Sequence, residues 1–192
     1  MKRFPMLGLM LLVAGAFLAA CTQSATGKSN VSVFMTDAPI DLTGVTAVNV
    51  TISGVVLYPA DDTGDDGGVA LASGPISMPG DLTINLLDIR NGATTFLGSA
   101  KVPDGSYNRV RLEIVSAELV RDDDGDPNTP DVVSPITVPS SKVDVVAPFQ
   151  LSQGEDMALT LDFDAQASVQ VNQTNGTNTY LLRPVINLAS AR

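Results

Sequence analysis

The chain has 192 residues, with 11 Lys and Arg against 21 Asp and Glu, a formal net charge of −10, no histidine and one cysteine. That balance excludes the clustered cationic footprint of a nucleic-acid binder. The missing histidine excludes Ser-His-Asp and Cys-His catalysis and removes the commonest zinc ligand, and a lone cysteine excludes an intrachain disulfide.

The first segment in chain order is an export signal. Lys2 and Arg3 supply a basic start, Leu7 to Phe17 an apolar stretch, and Leu18-Ala19-Ala20 a small-residue peptidase recognition site before Cys21. The whole apolar segment, residues 4–20, is barely long enough against the roughly 20 residues that span a bilayer, and it contains Pro5, Gly8 and Gly15. Leu18-Ala19-Ala20-Cys21 resembles the lipobox of bacterial lipoproteins. The resemblance implies removal of residues 1–20 and attachment of a diacylglyceryl group to the Cys21 thiol, with palmitate-type acylation of the new amino group. Two or three chains, at about 0.8 kcal/mol per buried CH₂, anchor durably, so the membrane partner is the lipid rather than the folded domain. Thr22 follows. By resemblance to Gram-negative sorting rules, the lack of Asp there implies the outer membrane, in the periplasm or at the cell surface. Loss of Lys2 and Arg3 leaves a mature chain of net charge −12.

Residues 21–30 read as the lipidated cysteine and a flexible tether, because TQSATGKSN is small and polar. Its nine residues reach at most about 30 Å. The remainder, 31–192, fits one domain. Of nine aromatic residues, Phe4 and Phe17 leave with the signal, so the core is expected to be Val, Leu and Ile, which suits strands.

From Val31 the hydrophobic period is two. Val48, Val50 and Ile52 alternate with Asn49, Thr51 and Ser53. Val110, Leu112 and Ile114 alternate with Arg109, Arg111 and Glu113. Val143, Val145, Ala147, Phe149 and Leu151 form another set, as do Leu159, Leu161 and Phe163. The first two sets then slip by one residue, to Val55-Leu57 after Gly54 and to Ala117-Leu119. Such a slip predicts a β-bulge that bends a long strand and lets it serve both sheets. Turn chemistry at Asn91-Gly92, Pro103-Asp104-Gly105, Asp124-Gly125 and Asn175-Gly176 separates the runs. About nine to eleven strands at this spacing predict an all-β fold, an antiparallel immunoglobulin-like β-sandwich. The one segment read as a short helix or 3₁₀ turn is Asp37 to Thr43.

Four segments, VSVFMTDAPIDLTGVTAVNVTISGVVLYP, INLLDIRNGATTFLGSAKVPDGSYNRVRLEI, LTLDFDAQASV and YLLRPVINL, resemble in that order a prokaryotic family catalogued as domain of unknown function 4382. The resemblance covers residues 31–188 and is carried best by TDAP at Thr36–Pro39, INLLD and LDFDA. It implies a prealbumin-type β-sandwich, usually exported or lipidated, and no assigned activity.

Candidate sites are few. Asp122, Asp124, Asp126, Asn128 and Asp131 stand in one acidic run and form a candidate Ca²⁺ loop, since calcium takes about six to eight hard oxygens. The run is not an EF-hand: counting from Asp122, Pro127 replaces the required Gly and Val133 the bidentate Glu. A solvated hairpin loop accounts for it equally simply. Asp61, Asp62, Asp65 and Asp66 sit among glycines and read as a hairpin tip. Asp162 and Asp164 share a strand face at a spacing of roughly 6–7 Å, inside the range of a glycosidase pair, although a polar outer face is the simpler account. Tyr107, Arg109, Arg111 and Glu113 line one strand face, for a ligand or for cross-strand ion pairs. Ser140-Ser141-Lys142 lacks the nucleophile of a Ser-x-x-Lys motif because Pro139 takes its place. An isopeptide crosslink, found in some prealbumin-like domains, has only Lys28, Lys101 and Lys142 to draw on.

These readings converge on a lipid-anchored envelope protein that is not an enzyme. It is expected to be a binding or structural module whose partner is an envelope protein or a glycan. A carbohydrate-binding module is the first alternative, weakened by the absence of tryptophan, and a carboxylate-dependent hydrolase the second. An exposed tyrosine row favours sugar, and buried tyrosines with an apolar exposed patch favour a protein partner.

Overall fold

A computed structural model describes residues 27–38, 44–62, 64, 68–70, 81–126, 128–152, 154–174 and 176–192. Alternating burial builds its strands: in β1 (Lys28–Asp37), Ser29, Val31, Val33, Met35 and Asp37 all point inward. The further strands are β2 (Val45–Pro59), β3 (Val69–Ala70), β4 (Leu82–Asn85), β5 (Thr95–Pro103), β6 (Gly105–Arg121) and β7 (Val132–Thr137). They are followed by β8 (Lys142–Leu151), β9 (Asp156–Phe163), β10 (Val169–Thr174), β11 (Thr177–Leu182) and β12 (Ile186–Ala191). Helical structure among the described residues is limited to a 3₁₀ turn at Leu86–Ile89 and the four-residue α1 (Ala165–Ser168).

The protein is all-β. A four-stranded sheet, ordered β12-β9-β1-β5, faces an eight-stranded sheet whose main path is β10-β11-β7-β6-β2-β3, with β4 on β2 and β8 on β6. Apart from the two-residue β3, the described residues form eleven strands, within the expected nine to eleven. The sandwich is also mixed rather than wholly antiparallel: β1 runs parallel to β9, and β7 to β11. Period-two alternation is the same in both ladder types, so it could not distinguish them.

Both predicted bulges exist. The β2–β6 ladder shifts register around Ile52, and the inward set changes from Val48, Val50 and Ile52 to Val55 and Leu57. On β6, Ile114 is followed by exposed Val115 and Ser116 before Ala117 and Leu119 turn inward. The strands do not pass between sheets as expected. Instead the bend divides one edge of β6, whose Gly105–Glu113 half pairs with β8 and whose Ala117–Arg121 half pairs with β7. Between the sheets lies an aliphatic core in which Leu159, Leu161 and Phe163 of β9 and Leu112 and Ile114 of β6 are fully buried. One aromatic stack, Tyr107 on Phe149 with centroids 5.1 Å apart, closes its lower end.

The polar composition of the tether misled at its far end. Lys28, Ser29 and Asn30 belong to β1, and buried Ser29 Oγ lies 2.6 Å from Asp104 Oδ1 and 2.7 Å from the Ser152 carbonyl. Gly27 accepts a hydrogen bond from the Asp104 N–H. The predicted turn at Asp37 to Thr43 falls mostly outside the described residues; Asp37 itself ends β1. The Asn91-Gly92 turn is present, both residues at positive φ (58° and 86°), and is closed by the Ala93 N–H on the Arg90 carbonyl.

Candidate functional site

Leu18, Ala19, Ala20 and Cys21 lie outside the described residues. The end of the sandwich from which residue 27 leads towards them is formed by the β5–β6 turn, the end of β2 and the β8–β9 connection. An open cleft of about 450 Å³ sits there between Pro59, Asp61, Pro103, Asp104 and Tyr107. Its one phenol is engaged, donating from Tyr107 Oη to the Pro103 carbonyl over 2.8 Å; burial, then the Asp104 charge, push it up from its ordinary pKa.

The acidic loop joins β6 to β7, and its carboxylates turn back on their own backbone. Asp122 Oδ1 accepts from the Asp124 and Gly125 N–H groups, Asp124 Oδ1 from Asp126 N–H, and Asp126 Oδ1 from Asn128 N–H. Each is an Asx turn, the local solution this residue type favours. Asp126 and Thr129 hold the Asp124 carboxyl below its ordinary range, and Asn128 does the same for Asp126. Asp131 faces elsewhere and accepts from Thr46 Oγ1 at 2.6 Å, tying the loop to β2. Among the described residues, no three carboxylate or thiol side chains converge as metal ligands do.

On the outer face of the larger sheet the structure assembles a cationic network. Buried Arg111 reaches Asp144 with Nε (2.6 Å) and Nη2 (2.9 Å), and donates from Nη1 to Tyr58 Oη at 3.0 Å. Arg109 also pairs with Asp144 at 3.0 Å, donates to the Gly64 carbonyl, and lies 3.9 Å above the Tyr58 ring. The Arg111 guanidinium is the main reason that the Asp144 carboxyl titrates below its ordinary range. Cross-strand ion pairing is therefore the structural account of Arg109 and Arg111. Tyr107 does not share their face: the register shift between Tyr107 and Arg109 turns it into the core.

A third cluster gathers the sequence's most distinctive segments into one corner. Thr36 Oγ1 lies 3.0 Å from the Ile89 carbonyl and 2.8 Å from that of Ala93. Asn85 Oδ1 caps the Leu86–Ile89 turn through Leu87 N–H and also receives Val48 N–H. Asp37 Oδ1 accepts from Ala165 N–H at 3.0 Å, while its Oδ2 is buried without a hydrogen-bond partner. Asp164 Oδ1 caps α1 through Ala167 N–H. Burial first, then the charges of Asp162 and Asp164, push Asp37 up to about 6, against an opposing hydrogen bond from Ala165 and the charge of Arg90. Burial, then Asp164, also raises Asp162. Asp37 was not singled out from sequence, although a period of two through Val31, Val33 and Met35 places it inward. As a hydrolytic pair Asp162 and Asp164 are divided, since one caps a helix and the other has Oδ1 buried without a partner.

Lys28, Lys101 and Lys142 are exposed, the wrong setting for an isopeptide bond, which forms under burial. Tyr58, Tyr107 and Tyr180 are all buried, which leaves Phe96, paired edgewise with Phe34 at 5.4 Å, as the exposed aromatic ring among the described residues.

Neither the curated proteins nor the solved structures contain a match to the chain. The segments that form the corner and every strand but β12 do match a family model, that of the domain of unknown function DUF4382, over residues 28–184. The chain therefore belongs to the DUF4382 family.

Proposed function

We propose that this protein is a non-catalytic module, carried by a lipid on Cys21 at the cell envelope and engaging an envelope protein. The observation that carries the reading is the engagement of its reactive side chains. Arg109, Arg111, Asp144 and Tyr58 engage one another, and Asp122, Asp124 and Asp126 each turn an oxygen onto loop backbone N–H groups. The burial of all three tyrosines supports a protein partner over a glycan, since sugar faces stack on exposed aromatic planes. Placement at the outer membrane of a Gram-negative cell rests on Thr22.

In this reading the Asp122–Asp131 loop is structural, and Ca²⁺ does not govern the fold. Two experiments test the whole. Replacing Cys21 by Ser in the full chain abolishes labelling by a fatty-acid probe and leaves the signal uncleaved; unchanged labelling refutes the anchor. Crosslinking in intact envelopes, followed by capture with and without Ca²⁺, yields a discrete protein partner in both conditions. Recovery of glycan alone supports the carbohydrate-binding alternative and overturns the protein reading.

A further inference from the structure

Strand β10 ends the order of the larger sheet, so one of its edges carries backbone groups that no strand among the described residues pairs. Sandwich proteins guard such edges with charge, proline, bulges or brevity. The other outer strands here are guarded: β5 has Lys101, Pro103 and a bulge against β1, and β12 a bulge at Leu188–Ser190. Strand β8 carries Lys142, Asp144 and Pro148, and β3 is two residues long. Strand β10 has none of these devices. Its Gln170, Val171, Asn172 and Gln173 are exposed, with Val171 at 58 %, and residues 165–182 contain no Asp, Glu, Lys or Arg in a chain of net charge −10.

The register fixes which groups are free. Thr174 pairs with Thr177 across the hairpin, and Arg183 N–H bonds the Ser168 carbonyl. Ladder alternation therefore spends Gln170 and Asn172 on β11 and turns the amides of Val169, Val171 and Gln173 outward. We propose that this edge pairs with the same strand of a second copy of the chain, antiparallel across a two-fold axis at Val171. That register forms about six inter-chain hydrogen bonds, two at each of three facing pairs. It sets exposed Val171 against its own symmetry mate, Val169 against Gln173, and on the other face Gln170 against Asn172, and the contact is isologous and closes as a dimer. Charge places a second copy at this edge rather than elsewhere on the surface. Two strongly acidic copies repel over most of their surfaces, and an uncharged edge is where they approach at least cost, so association strengthens with added salt.

The test uses the full chain in its native envelope, where Cys21 is the sole native cysteine and, once lipidated, offers no free thiol. Val171→Cys under mild oxidation gives a product of twice the monomer mass, at least about tenfold above Val146→Cys, whose site on β8 is 80 % exposed. Val169→Cys and Gln173→Cys crosslink when co-expressed and not singly, which reads the register. Crosslinking of Val171→Cys no greater than that of Val146→Cys overturns the proposal. A product of any other mass also overturns it, because the edge then holds a different chain.

Discussion

Replacing Asp37 by Asn isolates the energetics of one buried carboxylate. Asp37 is 3 % exposed, and its folded-state pKa of about 6 stands above the ordinary 3.8. A raised acid pKa means that the folded chain holds the proton more tightly than the unfolded chain does. Stability from this group is therefore complete below about pH 3.8 and is lost as pH rises through about 6. The shift corresponds to at most about 3 kcal/mol lost at pH 7, at about 1.36 kcal/mol per pKa unit. Asn keeps an oxygen for Ala165 N–H and removes the charge, but it places an amide where Oδ2 has no partner. An unsatisfied buried donor costs about 1–3 kcal/mol unless it reaches a neighbouring carboxylate, so the net gain at pH 7 is at most about 2 kcal/mol. For a chain of this size that raises Tm by at most roughly 4–8 °C. The difference between the two proteins falls by up to about 3 kcal/mol on going to pH 4, where Asp37 is already neutral and the cost of the amide alone remains. Thermal unfolding of wild type and Asp37→Asn from pH 4 to 8 measures it, and parallel pH profiles for the two proteins would refute the reasoning.

Asp144→Ala leaves Arg111 buried with its main acceptor gone. The expected cost is about 2–4 kcal/mol in urea unfolding at pH 7, below that of a fully enclosed pair because Asp144 is partly solvated. Stability from Asp144 has the opposite pH dependence to that from Asp37: its lowered pKa makes the contribution complete above about pH 3.8 and lost as pH falls further. Phe163→Ala opens a cavity at a fully buried position between the sheets and costs about 3–5 kcal/mol by the same measurement; a loss under 1 kcal/mol would place the core elsewhere. Millimolar Ca²⁺ leaves Tm unchanged in wild type and in Asp124→Ala alike, since the loop carboxylates among the described residues do not converge on a common point and Asp131 turns away to Thr46. A Ca²⁺-dependent rise that Asp124→Ala abolishes makes the loop a metal site.

Much of the fold was legible because burial follows a period of two, and the slips at Gly54 and beyond Ile114 marked real bulges. Hidden from the sequence was everything that depends on which strand lies beside which. The parallel β1–β9 ladder and the division of β6 between β7 and β8 are long-range choices with no local signature. The two short helical turns were too brief for a 3.6-residue period to show, although Asn85 and Asp164 stood ready as caps. Among the side chains, Arg111 shares the exposed parity of Arg109 and Glu113, and nothing in the alternation shows that Asp144 and Tyr58 bury it.

The segments that mark the family acquire a physical meaning once they meet. TDAP supplies Thr36 and Asp37, INLLD supplies Asn85 and its capped turn, and LDFDA supplies Phe163, Asp164 and Ala165. TDAP and INLLD offer short polar side chains to backbone groups far away in sequence, Thr36 to Ile89, Asp37 to Ala165 and Asn85 to Val48, and LDFDA supplies the Ala165 amide that Asp37 receives. Buried backbone groups left unpaired cost about as much as a lost hydrogen bond, so these residues fix where β1, β2 and β9 end against one another. Asp37 performs this task at the expense of a buried charge, an expense its Asn variant would avoid. These three segments thus encode the closing corner of the sandwich.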